Sequence, residues 1–269
     1  MLNINKNIQN GKKKINSGGD SMIKHFIILA SAYSKGTRIA LDYFDEEILQ
    51  MDVIKKDLDF IMDKLGEDAP ISTHYIQTKK SGWKEVEKQD KFFAKAQLIE
   101  TKEEFVELLL KDRKLKGIDI AKYILTRIPC THLKLEKLVY LCYADYLCLE
   151  KKKLFDDKIY AYKLGPVIES VYEKYKKSGH DFVEDDKKTE DETKKKLPIR
   201  SRIIASEEGL KKILSIDKTL EKYGKYSASQ LVDITHKESS PWTKAGAGTS
   251  QYQEISDDLI LQFHKYESI

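Results

Sequence analysis

The stretch "THLKLEKLVYLCYADYLCLE", residues 131–150, decides the fold of this chain. One stripe of it holds Leu135, Leu138, Val139, Cys142, Tyr146 and Leu149. Apolar side chains at this spacing are typical of a helix that packs against a core. Thr131 precedes the stripe and is a typical N-cap, because its hydroxyl oxygen can accept a hydrogen bond from an N–H of the first turn. The pattern predicts a core helix.

Further elements are predicted on both sides of this helix. Residues 117–128 are amphipathic and end before Pro129, which cannot continue a helix. After the core helix, a short extended piece at 159–162 leads to a turn at Gly165. Pro166 follows, and we predict it at the first position of the next helix, where proline is tolerated best.

The last third of the chain carries clear helix start and stop signals. Residues 206–224 have helical periodicity and end at a glycine. Ser227 and Gln230 match a capping box, in which each side chain satisfies a backbone N–H of the other residue. Ser240 precedes Pro241 and is predicted to cap a short helix that begins at the proline.

The N-terminal part has mixed character and predicts a small α+β unit. Residues 23–33 have the β-branched and aromatic content of a buried strand, and residues 45–66 have helical spacing. Residues 71–86 are predicted as a hairpin with its turn at Lys79 to Gly82. Residues 91–99 fit a strand or a helix equally well, since the run is too short for periodicity to decide.

These patterns predict an α+β protein with a mainly α-helical C-terminal domain. We expect a disordered polar N-terminus at 1–21, an α+β unit at 22–115 and the helical domain at 116–269. The charge-mixed run 184–196 is predicted as an exposed loop, because almost nothing in it can pack. Met22 begins the first apolar run, so a native start at Met22 rather than Met1 is a hypothesis that mass spectrometry would test.

The amino-acid composition limits which classes of protein this chain can belong to. The 269 residues are 41% apolar and 34% charged, with 48 Lys and Arg against 44 Asp and Glu. A net charge of only +4 disfavours a nucleic-acid partner, since such proteins concentrate basic residues. Three cysteines without paired spacing indicate reduced thiols, and no apolar stretch reaches the ~20 residues of a membrane span. We expect a cytoplasmic protein without a membrane partner.

The segment "LVDITHKESSPW", residues 231–242, is the strongest candidate for hydrolytic chemistry. It places His236 before Ser239 and Ser240, but no G-x-S-x-G elbow presents either serine as a nucleophile. A serine before proline at a helix start is usually a cap. We therefore predict that His236 is buried or caps a helix, where a cationic imidazole suits the helix dipole.

The sequence gives little support for a metal, cofactor or catalytic site elsewhere. The six histidines are scattered, and Cys130, His132 and Cys142 lack zinc spacing, so we expect no metal, no cofactor and no catalytic residue. The chain has fifteen tyrosines, many between 140 and 175. Tyrosine suits a protein interface, and it equally suits the half-buried rim of a core. Both interpretations stay open.

Three ordered motifs identify a family resemblance. The first is K-L-x-K-L-x-Y, with Lys134, Leu135, Lys137, Leu138 and Tyr140. The second is Y-K-x-G-P-V, with Tyr162, Lys163, Gly165, Pro166 and Val167, followed by Tyr172. The third is T-H-x-x-x-P-W, with Thr235, His236, Pro241 and Trp242. The chain resembles the SocA-like antitoxin, or Panacea domain, family over about residues 116–266. It departs from the pattern by one extra residue before Pro241 and by the long charged run 184–196.

The resemblance implies a helical, non-enzymatic, phage-associated protein that neutralises a toxin by direct contact, the toxin usually being encoded beside it. The signature residues are then structural or contact the partner. Segments appended to this domain contribute to the choice of toxin in the family, which gives the N-terminal unit a role. The oligomeric state stays open.

Other functions stay open beside this one. The chain could be a counter-defence protein of a phage or mobile element that inhibits a host factor. It could also be a DNA-binding autoregulator, or an enzyme that acts through the N-terminal unit; the residues give these two less support.

Overall fold

The computed structural model describes residues 22–66, 69–183, 192–246 and 253–267, without the side chains of Ser34 and residues 192–197. The predicted disordered segment 1–21 and residues 184–191 of the predicted loop lie outside this range. The rest of that loop is corrected, because a helix begins at Glu192 and includes the lysines up to 196. Lysine and glutamate are good helix formers, so charge alone did not exclude a helix there.

The chain forms two compact units, and the first consists of residues up to Ala30 and Thr37–Lys102. Its sheet has the strand order β3-β1-β2-β4, with β1 antiparallel to β3 and β2 parallel to β4. The strands are β1 Ile23–Ala32, β2 Thr37–Asp45, β3 Ile71–Thr78 and β4 Gln97–Leu98. The helices are α1 Met51–Leu65 and α2 Trp83–Gln89, with a 3₁₀ turn at Lys91–Phe93.

The structure confirms the first strand and the first long helix of this unit, and the α+β class. The predicted hairpin is wrong in its second arm, because β3 ends at Thr78 and the chain then enters α2. In this helix Val86 is fully buried in a small core with Ile27, Leu29 and Phe93. This tertiary packing, rather than the strand propensity of the sequence, determines the local structure. Residues 91–99 contain both a 3₁₀ turn and a two-residue strand.

The second unit consists of Ser31–Gly36 and Glu103–Ile269 and is mainly helical. Its helices are α3 Lys102–Arg113, α4 Gly117–Arg127, α5 His132–Glu150, α6 Glu169–Tyr175, α7 Glu192–Ile204, α8 Gly209–Tyr223, α9 Ala228–Thr235, α10 Pro241–Lys244 and α11 Asp257–Phe263. A small sheet has the order β6-β5-β7, from β5 Tyr160–Tyr162, β6 Gly165–Val167 and β7 Gln253–Glu254. The predicted boundary between 115 and 116 stays a prediction.

Helix α5 is the centre of the second unit, and α4, α8, α9 and α11 pack against it. Every residue from Leu135 to Ala144 is buried, so the predicted apolar stripe is a helix enclosed on most sides. The predicted caps are confirmed: Thr131 accepts from the N–H of Lys134 at 3.4 Å, and Ser227 and Gln230 form their capping box. In the described residues, the helices are too short or too polar to cross a bilayer.

A buried ionic network ties the last described turn to α5. The imidazole of His264 lies 2.7 Å from an oxygen of Asp145 and 2.7 Å from an oxygen of Glu267. Tyr140 donates to the Glu267 carboxylate at 2.9 Å, and Thr219 donates to Asp145 at 2.8 Å. Burial by itself lowers the pKa of His264, but the hydrogen bonds and charges of the two carboxylates outweigh it and raise the pKa to about 9. His264 is therefore an imidazolium at neutral pH.

Replacing His264 with asparagine should remove a pH-dependent contribution of this network to the free energy of unfolding. The folded pKa lies above the unfolded value, so the stabilisation is complete below pH ~6.5 and is lost as the pH rises through ~9. We expect H264N to lower the free energy of unfolding by on the order of 3 kcal/mol at pH 6, with the gap to wild type narrowing towards pH 10. Urea melts across this range measure it. The exposed-site variant H180N is the control, and parallel curves for wild type and H264N would contradict the assignment.

Candidate functional site

The three sequence motifs converge on one place in the second unit. We call this place the signature junction and define it by Lys137 of α5, Tyr162 of β5, Gly165 and Pro166 of β6, Thr235 and His236 at the end of α9, and Trp242 of α10. Segments more than a hundred residues apart in sequence, such as those that hold Lys137 and Trp242, thus meet around one buried lysine. The junction is the candidate functional site.

Lys137 lies at the centre of the junction and is fully buried. Its ammonium donates to the carbonyl of Pro166 at 2.7 Å. Burial lowers the pKa of Lys137 to about 8, against the opposing effect of the Glu136 carboxylate. Glu136 is buried as well and accepts the backbone N–H of Ile168 at 3.1 Å. Two adjacent charged residues of α5 therefore hold the chain on both sides of Val167.

Glycine is required at position 165 by backbone conformation and by space. Its φ is +108°, and a Cβ would lie 2.9 Å from the Lys137 ammonium and 3.1 Å from the Thr235 hydroxyl. Pro166 does not begin a helix, which corrects the prediction: it pairs with Ala161 in the small sheet, and α6 starts at Glu169. The hydrogen bonds from α5 hold this segment extended, whereas the turn-and-proline pattern alone favoured a helix.

His236 and Trp242 form the outer layer of the junction. Their rings stack in parallel, with centroids 3.6 Å apart and planes 3° apart. The Trp242 indole N–H donates to the carbonyl of Tyr162 at 2.8 Å. Burial and, after it, the nearby charge of Lys137 lower the pKa of His236, so its imidazole is neutral at pH 7. The expectation of a cationic imidazole at the end of α9 is therefore wrong, because burial and the Lys137 charge disfavour the charged ring more than the Asp233 charge favours it.

The serines beside His236 serve as helix caps. Ser240 accepts the backbone N–H of Thr243 at 3.3 Å, and Pro241 is the first residue of α10, as predicted. Within the described ranges, no hydrogen bond joins His236 to Ser239 or Ser240, and its buried Nε2 has no partner. Those ranges also hold no group of three His, Cys, Asp or Glu residues placed to bind a metal.

The remaining signature residues lie around the junction. Lys134 donates to the carbonyl of Gly224 at 2.7 Å, and Tyr140 belongs to the His264 network. Val167 and Pro241 are buried. The Tyr172 ring packs between those of His132 and Tyr162, at centroid distances of 5.2 and 5.7 Å. These contacts place the residues; their role in partner binding stays a prediction.

The tyrosine-rich region divides into core and rim. Tyr140, Tyr143, Tyr146 and Tyr175 are buried, whereas Tyr160, Tyr162 and Tyr172 are partly exposed. Sequence reasoning passed over Glu136 and His264, which the structure places in buried polar contacts. The signal available for Glu136 was a Glu-Lys pair inside the most apolar stretch of the chain, where charged residues are rarely buried without a partner. No local signal marked His264.

Replacing Gly165 with alanine should destabilise the second unit by displacing Lys137. We expect a loss of roughly 2–4 kcal/mol, from the unfavourable φ and the contact of the new methyl group with the ammonium. The matched control is Gly179→Ala, since Gly179 also has a positive φ, +54°, but has open space where its Cβ would lie. Chemical denaturation measures both, and equal losses would show that the Lys137 contact is unimportant.

Replacing His236 with alanine should lower stability, because the stacked ring supports Trp242. We expect roughly 1–2 kcal/mol and a lower melting temperature. His236→Phe keeps a flat ring and should retain most of that stability. If H236A melted like wild type but failed to neutralise its partner, the side chain would be a contact residue and the structural interpretation would be wrong.

Comparison with known proteins agrees with the motifs. The family model for antitoxin SocA-like proteins, Panacea domain, matches residues 135–243, which contain the whole signature junction. Antitoxin SocA from Caulobacter vibrioides is 30% identical over 151 residues, which cover 53% of this chain and 76% of that protein. No solved structure matched the chain. The chain belongs to the SocA-like antitoxin family and carries its Panacea domain.

Proposed function

We propose that this protein is an antitoxin that neutralises a cognate protein toxin by direct protein–protein contact, and that it is not an enzyme. The observation that carries the proposal is the match over residues 135–243 together with the similarity to Antitoxin SocA. The matched segment contains the junction, so the likeness includes the residues that organise the helical unit.

The chemistry of the junction supports binding over catalysis. Lys137 is inaccessible to a substrate, since it is fully buried and its ammonium is held by Pro166. His236 is stacked on Trp242, and Ser240 is used as a cap. These polar groups hold helices together, and a helical unit fixed in this way can present a rigid surface to a partner.

We propose, second, that the N-terminal unit contributes to the choice of toxin. It lies outside the family match and has its own core around Ile27, Val86 and Phe93. Its sheet also contains a buried polar network. The His25 imidazole lies 3.0 Å from the Asp42 carboxylate and 3.0 Å from the Thr78 hydroxyl. A unit with its own core and its own polar network can vary its surface without disturbing the Panacea domain.

We also propose that the toxin is encoded by a neighbouring gene and that the pair acts in the cytoplasm. Free thiols support this location, because Cys130, Cys142 and Cys148 are all unpaired in the structure.

The test is growth of cells that express the neighbouring open reading frame, with and without this chain. We expect growth arrest by the neighbour alone, rescue by the full-length chain, and co-purification of the two proteins. A harmless neighbour would favour the counter-defence function, in which the chain inhibits a host factor. Rescue without a complex of the purified proteins would contradict neutralisation by direct contact.

A further inference from the structure

A pocket of about 240 Å³, open to solvent, lies at the N-terminal end of α8 in the Panacea unit. Its apolar lining comes from Leu115, Tyr146, Leu154 and Phe155, and these four residues are buried. Basic side chains surround this lining, and Lys212 of α8 is one of them. The pocket shares no residue with the signature junction.

Lys212 differs from the other lysines of the pocket. It is only 7% exposed, and within the described ranges its ammonium has no hydrogen bond or ion pair. The others are paired on the surface: Lys114 with Asp156 at 3.1 Å, Lys152 with Glu208 at 3.2 Å and Lys153 with Asp257 at 3.3 Å. Burial lowers the pKa of Lys212, and the charges of Glu207, Glu208 and Asp156 oppose that effect without forming an ion pair with it. A largely buried lysine that lines a pocket and has no direct partner is available to pair with an anionic group of a ligand.

The side chains that line the pocket favour one kind of anion. Five basic and three acidic side chains line the pocket, so its net charge is positive but modest. The nearby Glu207, Glu208 and Asp156 would repel a phosphate dianion more strongly than a carboxylate, which carries one charge. The apolar lining also suits the methylene groups of an acidic side chain or an apolar neighbour. Both features favour a carboxylate presented by a protein.

We propose that this pocket receives an aspartate or glutamate side chain of the bound toxin, whose carboxylate pairs with the Lys212 ammonium. The inference rests on the proposed antitoxin function, since it names the chemistry of one contact with that partner. Lys212 acts as the anchor of the contact, and the surface lysines attract the acidic segment towards it.

The first experiment uses small probes, so it does not need the toxin. Full-length protein is titrated with acetyl-glutamate-amide, acetyl-glutamine-amide and inorganic phosphate, and backbone amide shifts of Leu115, Leu154 and Lys212 are followed by NMR. We expect the glutamate probe to bind at least about fivefold more tightly than either of the others. Equal binding of glutamate and glutamine probes would overturn the proposal, and tighter binding of phosphate would replace it with a small-anion site.

The matched variants are Lys212→Met and Lys218→Met, on the same helix, since Lys218 is exposed and lies outside the pocket. K212M should lose the preference for glutamate, because the ammonium that pairs with the carboxylate is removed, and its melting temperature checks that the variant folds. K218M should match wild type in both measurements. Lys212→Gln is a second variant in case the methionine perturbs packing, and unchanged glutamate binding in these Lys212 variants would overturn the proposal.

The toxin assay separates this inference from the function on which it rests. With a toxin that the wild-type chain neutralises, K212M should bind about tenfold more weakly while K218M binds normally. Equal binding of the two variants would overturn the pocket as a toxin contact and leave the antitoxin function intact. If no toxin emerged from the growth test, the function would fail, and the probe titration would still decide whether Lys212 binds carboxylates.

Discussion

The hydrogen bond from the buried Lys137 ammonium to the Pro166 carbonyl is the interaction around which the Panacea unit is arranged. A buried ammonium must find acceptors, and the geometry that satisfies it also fixes its neighbours. Position 165 must be a glycine, because a larger residue would meet the ammonium. The same charge helps to keep His236 neutral, and a neutral ring stacks on Trp242 without carrying a second buried charge. One buried charge thus affects residues of all three motifs: Lys137 itself, Gly165 and His236.

The unit places its two buried polar networks along a single helix. Lys137 and Glu136 serve the junction near the start of α5, and Tyr140 and Asp145 serve the His264 network further along. Because every residue from Leu135 to Ala144 is buried, these polar groups interrupt an otherwise apolar core and fix the register of the helices around it. The pocket around Lys212 takes Tyr146 from α5 but shares no residue with either network, so binding chemistry there is separate from both.

Local features of this fold were predictable from sequence, and features that depend on distant partners were not. The caps at Thr131, Ser227 and Ser240 each accept a hydrogen bond from an N–H three residues later, so the residue types at these positions predict them. The α+β class and the core helix follow from periodicity. Pro166 was misplaced, because its conformation depends on a lysine 29 residues earlier. The motifs located the junction, yet the charge state of His236 depends on burial that no local pattern reveals. His264 and Asp145 are 119 residues apart, which leaves their pairing without any sequence signal.

The distance along the chain between α5 and its last partners has a consequence for synthesis. Asp145 and Tyr140 leave the ribosome more than a hundred residues before His264 and Glu267, which complete their hydrogen bonds. Until then the central helix carries polar groups that cannot be buried without cost, so the helical unit cannot close cooperatively during translation. A chain interrupted before residue 264 lacks these partners, so Asp145 and Tyr140 of its central helix keep polar groups that the complete network would satisfy.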